Sequence, residues 1–162
     1  LAGSRAPRNP PTLLPPPTTT KRHTVQIATR ATTLTFSSLP AVGQPLEGGT
    51  FAGVITQDDG QHAAVVLLDE QTENLNWEAA SAWAQKLEAQ LPSRLAALSI
   101  FKHLKDRLKP RWHWTSETYV DEDEPEDASC AWCCDFSLGI QDFNHKSYEG
   151  CAVAVRSIPL TA

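Results

Sequence analysis

Apolar and polar positions along this chain follow two rhythms, one of period two and one of period three to four, and the change from one to the other predicts its elements. Alternating β-branched residues at Thr24-Val25-Gln26-Ile27 and Thr32-Thr33-Leu34-Thr35-Phe36 predict one or two short strands. Phe51–Ile55 and Ala63–Leu68 predict two more, joined by a turn at Asp58-Asp59-Gly60. The rhythm then lengthens. Ala80, Trp83, Ala84, Leu87 and Leu91 recur at helical spacing, with Asn76 as N-cap, and predict a helix running to about Gln90. Pro92 interrupts, Ser93 can cap a second helix, and Ala97, Leu98, Phe101, Leu104 and Leu108 form its expected stripe before Pro110 ends it. Period two returns at Trp112–Ser116, at Trp132–Phe136 followed by a turn at Gly139, and at Cys151–Arg156. Two helices among short strands predict an α+β domain.

Composition adds the organisation of the chain. Six of the twelve prolines fall within residues 1–17, so residues 1–22 read as a disordered proline-rich arm that cannot build a core. Residues 23–45 read as a short β segment, a candidate oligomerisation collar, and residues 46–162 as the folded body. At 162 residues with 41% apolar content, one domain is the expectation. No run approaches the roughly 20 apolar residues that span a bilayer, so no membrane insertion is expected. The N-terminus lacks signal-peptide order, and the absence of methionine suggests a processed product or a missing start.

Charge narrows the partners. The net charge is −5, yet residues 1–50 carry five cations against Glu47 alone, leaving the rest strongly acidic. Most of that acidity lies in Asp121–Asp127, where every position but Pro125 is a carboxylate. Such a body repels phosphate, and nucleic acid is not an expected partner.

The candidate chemistry thins on inspection. Cys130-Ala131-Trp132-Cys133 has the spacing of a redox dithiol or half a zinc site, with Cys134, Cys151, His113 and His145 as completing ligands. A redox pair needs a helix N-terminus, whereas this one precedes a strand, and adjacent Cys133 and Cys134 point to opposite faces. Reduced, buried thiols are the expectation, with no metal and no cofactor. The acidic run lacks the glycine and distal glutamate of a calcium loop and reads as a solvated surface loop. No catalytic or dinucleotide motif is present, so no enzyme is expected. Trp112 and Trp114 alternate onto one face of a strand, and the five tryptophans are expected to pack the core.

An ordered series of short motifs is more specific: Gly48-Gly49-Thr50-Phe51-Ala52-Gly53, Leu75-Asn76-Trp77-Glu78-Ala79-Ala80, Leu91-Pro92-Ser93-Arg94, Trp112-His113-Trp114-Thr115-Ser116-Glu117, Ala131-Trp132 and Ala154-Val155-Arg156. The series resembles the collagen-like adhesin C-terminal family across roughly residues 46–158. The resemblance implies a C-type-lectin-like fold, two helices packed on a small twisted antiparallel sheet, in a setting of phage or prophage tails or bacterial surfaces. The calcium motifs of animal lectins are absent, as are family counterparts of the acidic loop and the four cysteines.

The resemblance further implies that the segment from Cys133 to Tyr148 lies on an exposed, ligand-facing surface. Its expected binding residues are Asp135, Ser137, Gln141, Asp142, Asn144, His145, Lys146 and Tyr148, joined by Glu117 and Tyr119 from the preceding strand, with Trp112, Trp132 and Val155 beneath them in the core. Retroelement variable proteins are among the relatives of this fold, and residues 133–148 are their candidate diversified stretch. The expectation is a binding module for a host cell-surface glycan or protein, with a homotrimer as a possible assembly. A structural subunit of a phage assembly is the rival.

Overall fold

The computed structural model describes residues 33–161. The arm at 1–22 and the strand expected at 24–27 lie outside the described residues. Eight strands and two helices follow in the order β1 (Leu34–Thr35), β2 (Pro45–Leu46), β3 (Gly49–Thr56), β4 (His62–Leu75), α1 (Trp77–Lys86), α2 (Arg94–Leu104), β5 (Trp112–Thr118), β6 (Cys130–Asp135), β7 (Ile140–His145) and β8 (Gly150–Thr161). The α+β expectation holds, although sheet predominates. All eight strands join one sheet in the order β2-β3-β4-β8-β5-β6-β7, with β1 added in parallel to the end of β8.

Strands β4 and β8 sit at the centre because both faces of each are apolar. Val65 and Leu67 enter a core shared with Val153 and Val155, while Ala64 and Val66 enter another with Ile158 and Leu160. A third cluster joins Leu68, Ala80, Ala84, Trp114, Ala131 and Ala154. The helices thus close different parts of the sheet, α2 through Ala97 and Ile100, and α1 through Ala80 and Ala84. Gly53, at φ +126°, allows α2 to approach β3, where the Ser99 hydroxyl donates to the Ala52 carbonyl at 2.7 Å. The expected hairpin between β3 and β4 turns at Gly60, whose N–H donates to the Gln57 carbonyl at 2.9 Å.

Both expected N-caps are present. The Asn76 side chain accepts from the Ala79 N–H at 2.9 Å and Ser93 Oγ from the Ala96 N–H at 3.2 Å. The ends differ. Helix α1 stops at Lys86 because Glu88 adopts φ +53°, and the N–H groups of Glu88 and Ala89 turn back onto the carbonyls of Gln85 and Ala84. This is a Schellman ending without the usual glycine. Gln90 then runs extended and exchanges both backbone bonds with Val155. The stripe of α2 is Ala96, Ala97, Ile100 and Leu104, so Leu98 is exposed rather than in the core as the spacing suggested.

Among the described residues the sheet already includes Leu34 and Thr35, upstream of residue 46. Leu34 and Thr35 pair with Leu160 and Thr161, and Leu34 packs on the core of Ala64, Val66, Ile158 and Leu160, so this part of the expected collar belongs to the sheet of the body.

Candidate ligand-binding groove

Strands β5, β6 and β7 present two faces, and the register assigns each side chain to one of them. Cys134 pairs with His113 and Gln141, and Trp132 with Phe143; these lie on the α2 side. Trp112 pairs with Asp135, Trp114 with Cys133, and Cys133 with Asp142, on the opposite side. Adjacent residues of a strand point oppositely, so the expected recognition segment is divided rather than assembled into one surface.

On the α2 side the polar residues hold one another. The Arg94 guanidinium lies 3.6 Å from the centre of the Trp132 ring, its Nε donates to Gln141 Oε1 at 3.1 Å, and Gln141 Nε2 donates back to the Arg94 carbonyl at 2.8 Å. Glu117 Oε1 accepts the Arg94 backbone N–H at 2.7 Å. Tyr119 stacks on Phe143 with centroids 3.7 Å apart, and both meet the Trp132 ring edge to face. A cleft of about 420 Å³ opens beside Arg94, Glu117 and Gln141. Those three spend these polar groups on the joint between α2 and the β5–β7 strands.

Several expected binding residues are structural in the same sense. Asp135 is buried, not exposed as expected, because its Oδ1 accepts both the N–H and the hydroxyl of Ser137 at 2.7 Å and so caps the β6–β7 turn. Lys146 is half-buried, with Nζ donating to Thr118 Oγ1 at 3.0 Å and lying 4.2 Å from the Trp77 ring centre. The Asp142 and Asn144 side chains accept the N–H groups of Phe143 and His145 at 2.8 and 2.9 Å. Since β7 is the last strand of the sheet order, these bonds occupy donors of its edge. The exposed His145 pairs Nδ1 with Ser147 Oγ at 2.7 Å.

The opposite side is open at one end. Trp114 is buried and its Nε1 donates to the Leu75 carbonyl at 3.0 Å, but Trp112, two residues earlier, is 41% exposed. This corrects the expectation that both pack the core. Beyond Trp114 the cover ends, because β5 and β8 both begin here, at Trp112 and Gly150, and are bridged at His113 and Cys151, which leaves a gap beside Trp112. The gap is a groove made of two hollows of about 400 and 200 Å³, which share Trp112, Glu149 and Gly150 in their walls. Asn74 and Arg111 complete the larger hollow and Asn144 and Tyr148 the smaller. Tyr148 is 62% exposed. Of the expected binding residues, the groove gathers the exposed Tyr148, the half-buried Asn144 and, as part of its wall, Asp135.

The nucleophilic and titratable groups nearby are muted. Burial pushes the Cys133 thiol up to about 12 and the Cys134 thiol up to about 11, and it raises Cys151 as well. Cys133 Sγ donates to the Asp142 carbonyl at 3.2 Å. His113 is 1% exposed, and burial holds its imidazole below the usual range. Its Nδ1 bonds the Arg111 carbonyl at 2.9 Å while Nε2 has no partner. No three His, Cys, Asp or Glu side chains converge as a metal-binding set among the described residues.

Neither family models nor curated proteins offer a match to this chain.

Proposed function

We propose that this chain is a ligand-binding module of C-type-lectin-like architecture, of the adhesin or receptor-binding type found on bacterial surfaces and phage tails, rather than an enzyme. The return of β8 between β4 and β5, with two helices closing the sheet, supports that architecture. The ligand, a cell-surface glycan or protein, sits in the Trp112 groove. One observation carries this reading: two large aromatic side chains, Trp112 and Tyr148, stand exposed around a concave gap whose rim bears Glu149 and Asn144. Exposed aromatics beside fixed polar groups are the usual anchors of a binding site.

The acidic body supports a partner other than nucleic acid. The raised thiols and the uncharged His113 support recognition over nucleophilic chemistry.

The test is binding of the full chain to intact cells and to arrayed glycans, measured alongside unfolding for Trp112→Ala and Tyr148→Ala. Both variants should stay folded and lose binding. Unchanged binding by both would remove the groove as the ligand site. If the full chain also recognised no surface while forming a defined oligomer, the structural-subunit reading would take its place.

A further inference from the structure

We infer that the groove ligand is an uncharged saccharide, with one sugar ring lying on the Trp112 indole and its neighbour reaching into the second hollow. The inference rests on the reading of this groove as the ligand site and adds the chemical class. Trp112 walls both hollows and keeps 41% of its surface in water. An indole face suits the C–H face of a pyranose, whose hydroxyls point outward around the ring edge. Around Trp112 stand groups that bond hydroxyls: the Glu149 carboxylate, the Asn74 and Asn144 side-chain amides and the Tyr148 hydroxyl. A carboxylate accepts through both oxygens and an amide accepts and donates side by side, and the vicinal hydroxyls of a sugar present donors and acceptors at matching spacing.

Charge argues for a neutral ring. Lys109 Nζ lies 2.8 Å from Glu73 Oε2, while Arg111, in the wall of the larger hollow, lies 3.7 Å from it through Nη1 and is outnumbered in that wall by two carboxylates. Glu149 and Asp135 bring negative charge to the groove wall, and the body around it is acidic. A sulfated or uronate chain would meet that field unfavourably. Size argues for a small ligand, since the two hollows, of about 400 and 200 Å³, together have the volume of a small-molecule site. Their common wall at Trp112 favours a chain that passes over the indole, so two linked rings should bind more tightly than one.

The experiment probes arrays of neutral and anionic glycans with the full chain and with Trp112→Ala, Trp112→Phe and Glu149→Gln, followed by calorimetric titration of the strongest neutral disaccharide and its monosaccharide. Neutral glycans should bind. Trp112→Ala should weaken them by about tenfold or more, with Trp112→Phe restoring most of the loss because a ring face remains. Glu149→Gln should weaken binding several-fold, and the disaccharide should exceed the monosaccharide. Neutral glycans binding the wild-type chain no better than Trp112→Ala, or anionic glycans binding better than neutral ones, would overturn the inference. In either case, cell binding that Trp112→Ala still abolishes would leave the groove as the site of another ligand, whereas cell binding untouched by that variant would remove both readings.

Discussion

Trp112 and Trp114 are separated by one residue, lie on one face of one strand, and should respond to truncation very differently. Trp114 is 3% exposed and Trp112 41% exposed. A buried tryptophan removes roughly 200 Å² from water, worth about 5 kcal/mol at about 25 cal/mol per Å². Nearly all of that applies to Trp114. Its loss also leaves the Leu75 carbonyl without the 3.0 Å bond from Nε1, and the cavity lies against Gly150. With side-chain entropy recovered on truncation, Trp114→Ala should cost about 3–5 kcal/mol. Trp112 hides a little over half its surface, so the same reasoning gives about 1–2 kcal/mol for Trp112→Ala. Urea unfolding followed by far-ultraviolet circular dichroism measures both. The expected result is a gap of about 2–3 kcal/mol with unchanged denaturant slopes. Equal costs, or a larger cost at Trp112, would refute the exposure of Trp112 at the start of β5 and with it the groove.

Three further outcomes follow from other parts of the molecule. Burial holds the His113 imidazole below its ordinary value of 6.5, with the Lys109 charge lowering it and the Arg111 carbonyl and Asp135 charge raising it. The unfolded chain therefore takes up that proton first. Stability contributed by the neutral ring is present above about pH 6.5 and declines below it; urea midpoints in wild type and His113→Phe should show a shallower acid decline in the variant. Cys133 and Cys134, raised to about 12 and 11, should resist a maleimide at pH 8 in the native state while the half-exposed Cys130 reacts, and all four should react in denaturant, as read by mass spectrometry. Asn76→Ala and Ser93→Ala should each lose about 0.5–2 kcal/mol in thermal or urea unfolding, because each leaves a helix-terminal N–H without its side-chain acceptor.

What the sequence disclosed was local. Asn76 and Ser93 could be recognised as caps because a cap depends on its own side chain and the next three residues. The end of α1 was hidden because Glu88 fills a left-handed position that a reader expects glycine to mark. Strand β7, Ile-Gln-Asp-Phe-Asn-His, carries too little apolar alternation to stand out, since it is an edge strand with little of it buried. Beyond Leu68, β4 continues to Leu75 through polar residues, held by pairing with β8 across two register shifts. Such pairing is a property of the sheet and leaves no local signature.

The site was harder to read for a related reason. Alternation places Trp112 and Trp114 on one face, but whether that face is covered depends on where a strand distant in sequence stops running beside it. Here β8 meets β5 at Cys151, and the two residues before it, Glu149 and Gly150, line the gap without filling it. The pairing that buries His113 and Trp114 therefore leaves Trp112 unburied at its end. The polar density of residues 133–148 draws attention to this part of the sheet, yet much of it is spent on holding the fold: Asp135 on a turn, Gln141 on Arg94, Lys146 on Thr118 and Trp77. Tyr148 brings an exposed side chain and Asn144 a half-buried one to the gap, where Asp135 serves only as wall, and the residues that shape the gap with them, Trp112, Glu149 and Gly150, lie at the starts of two strands. A groove made this way is fixed by the scaffold, since Trp112 directly precedes the buried His113 on β5 and Gly150 directly precedes the buried Cys151 on β8, so a ligand bound there as proposed would meet side chains whose backbone is already ordered.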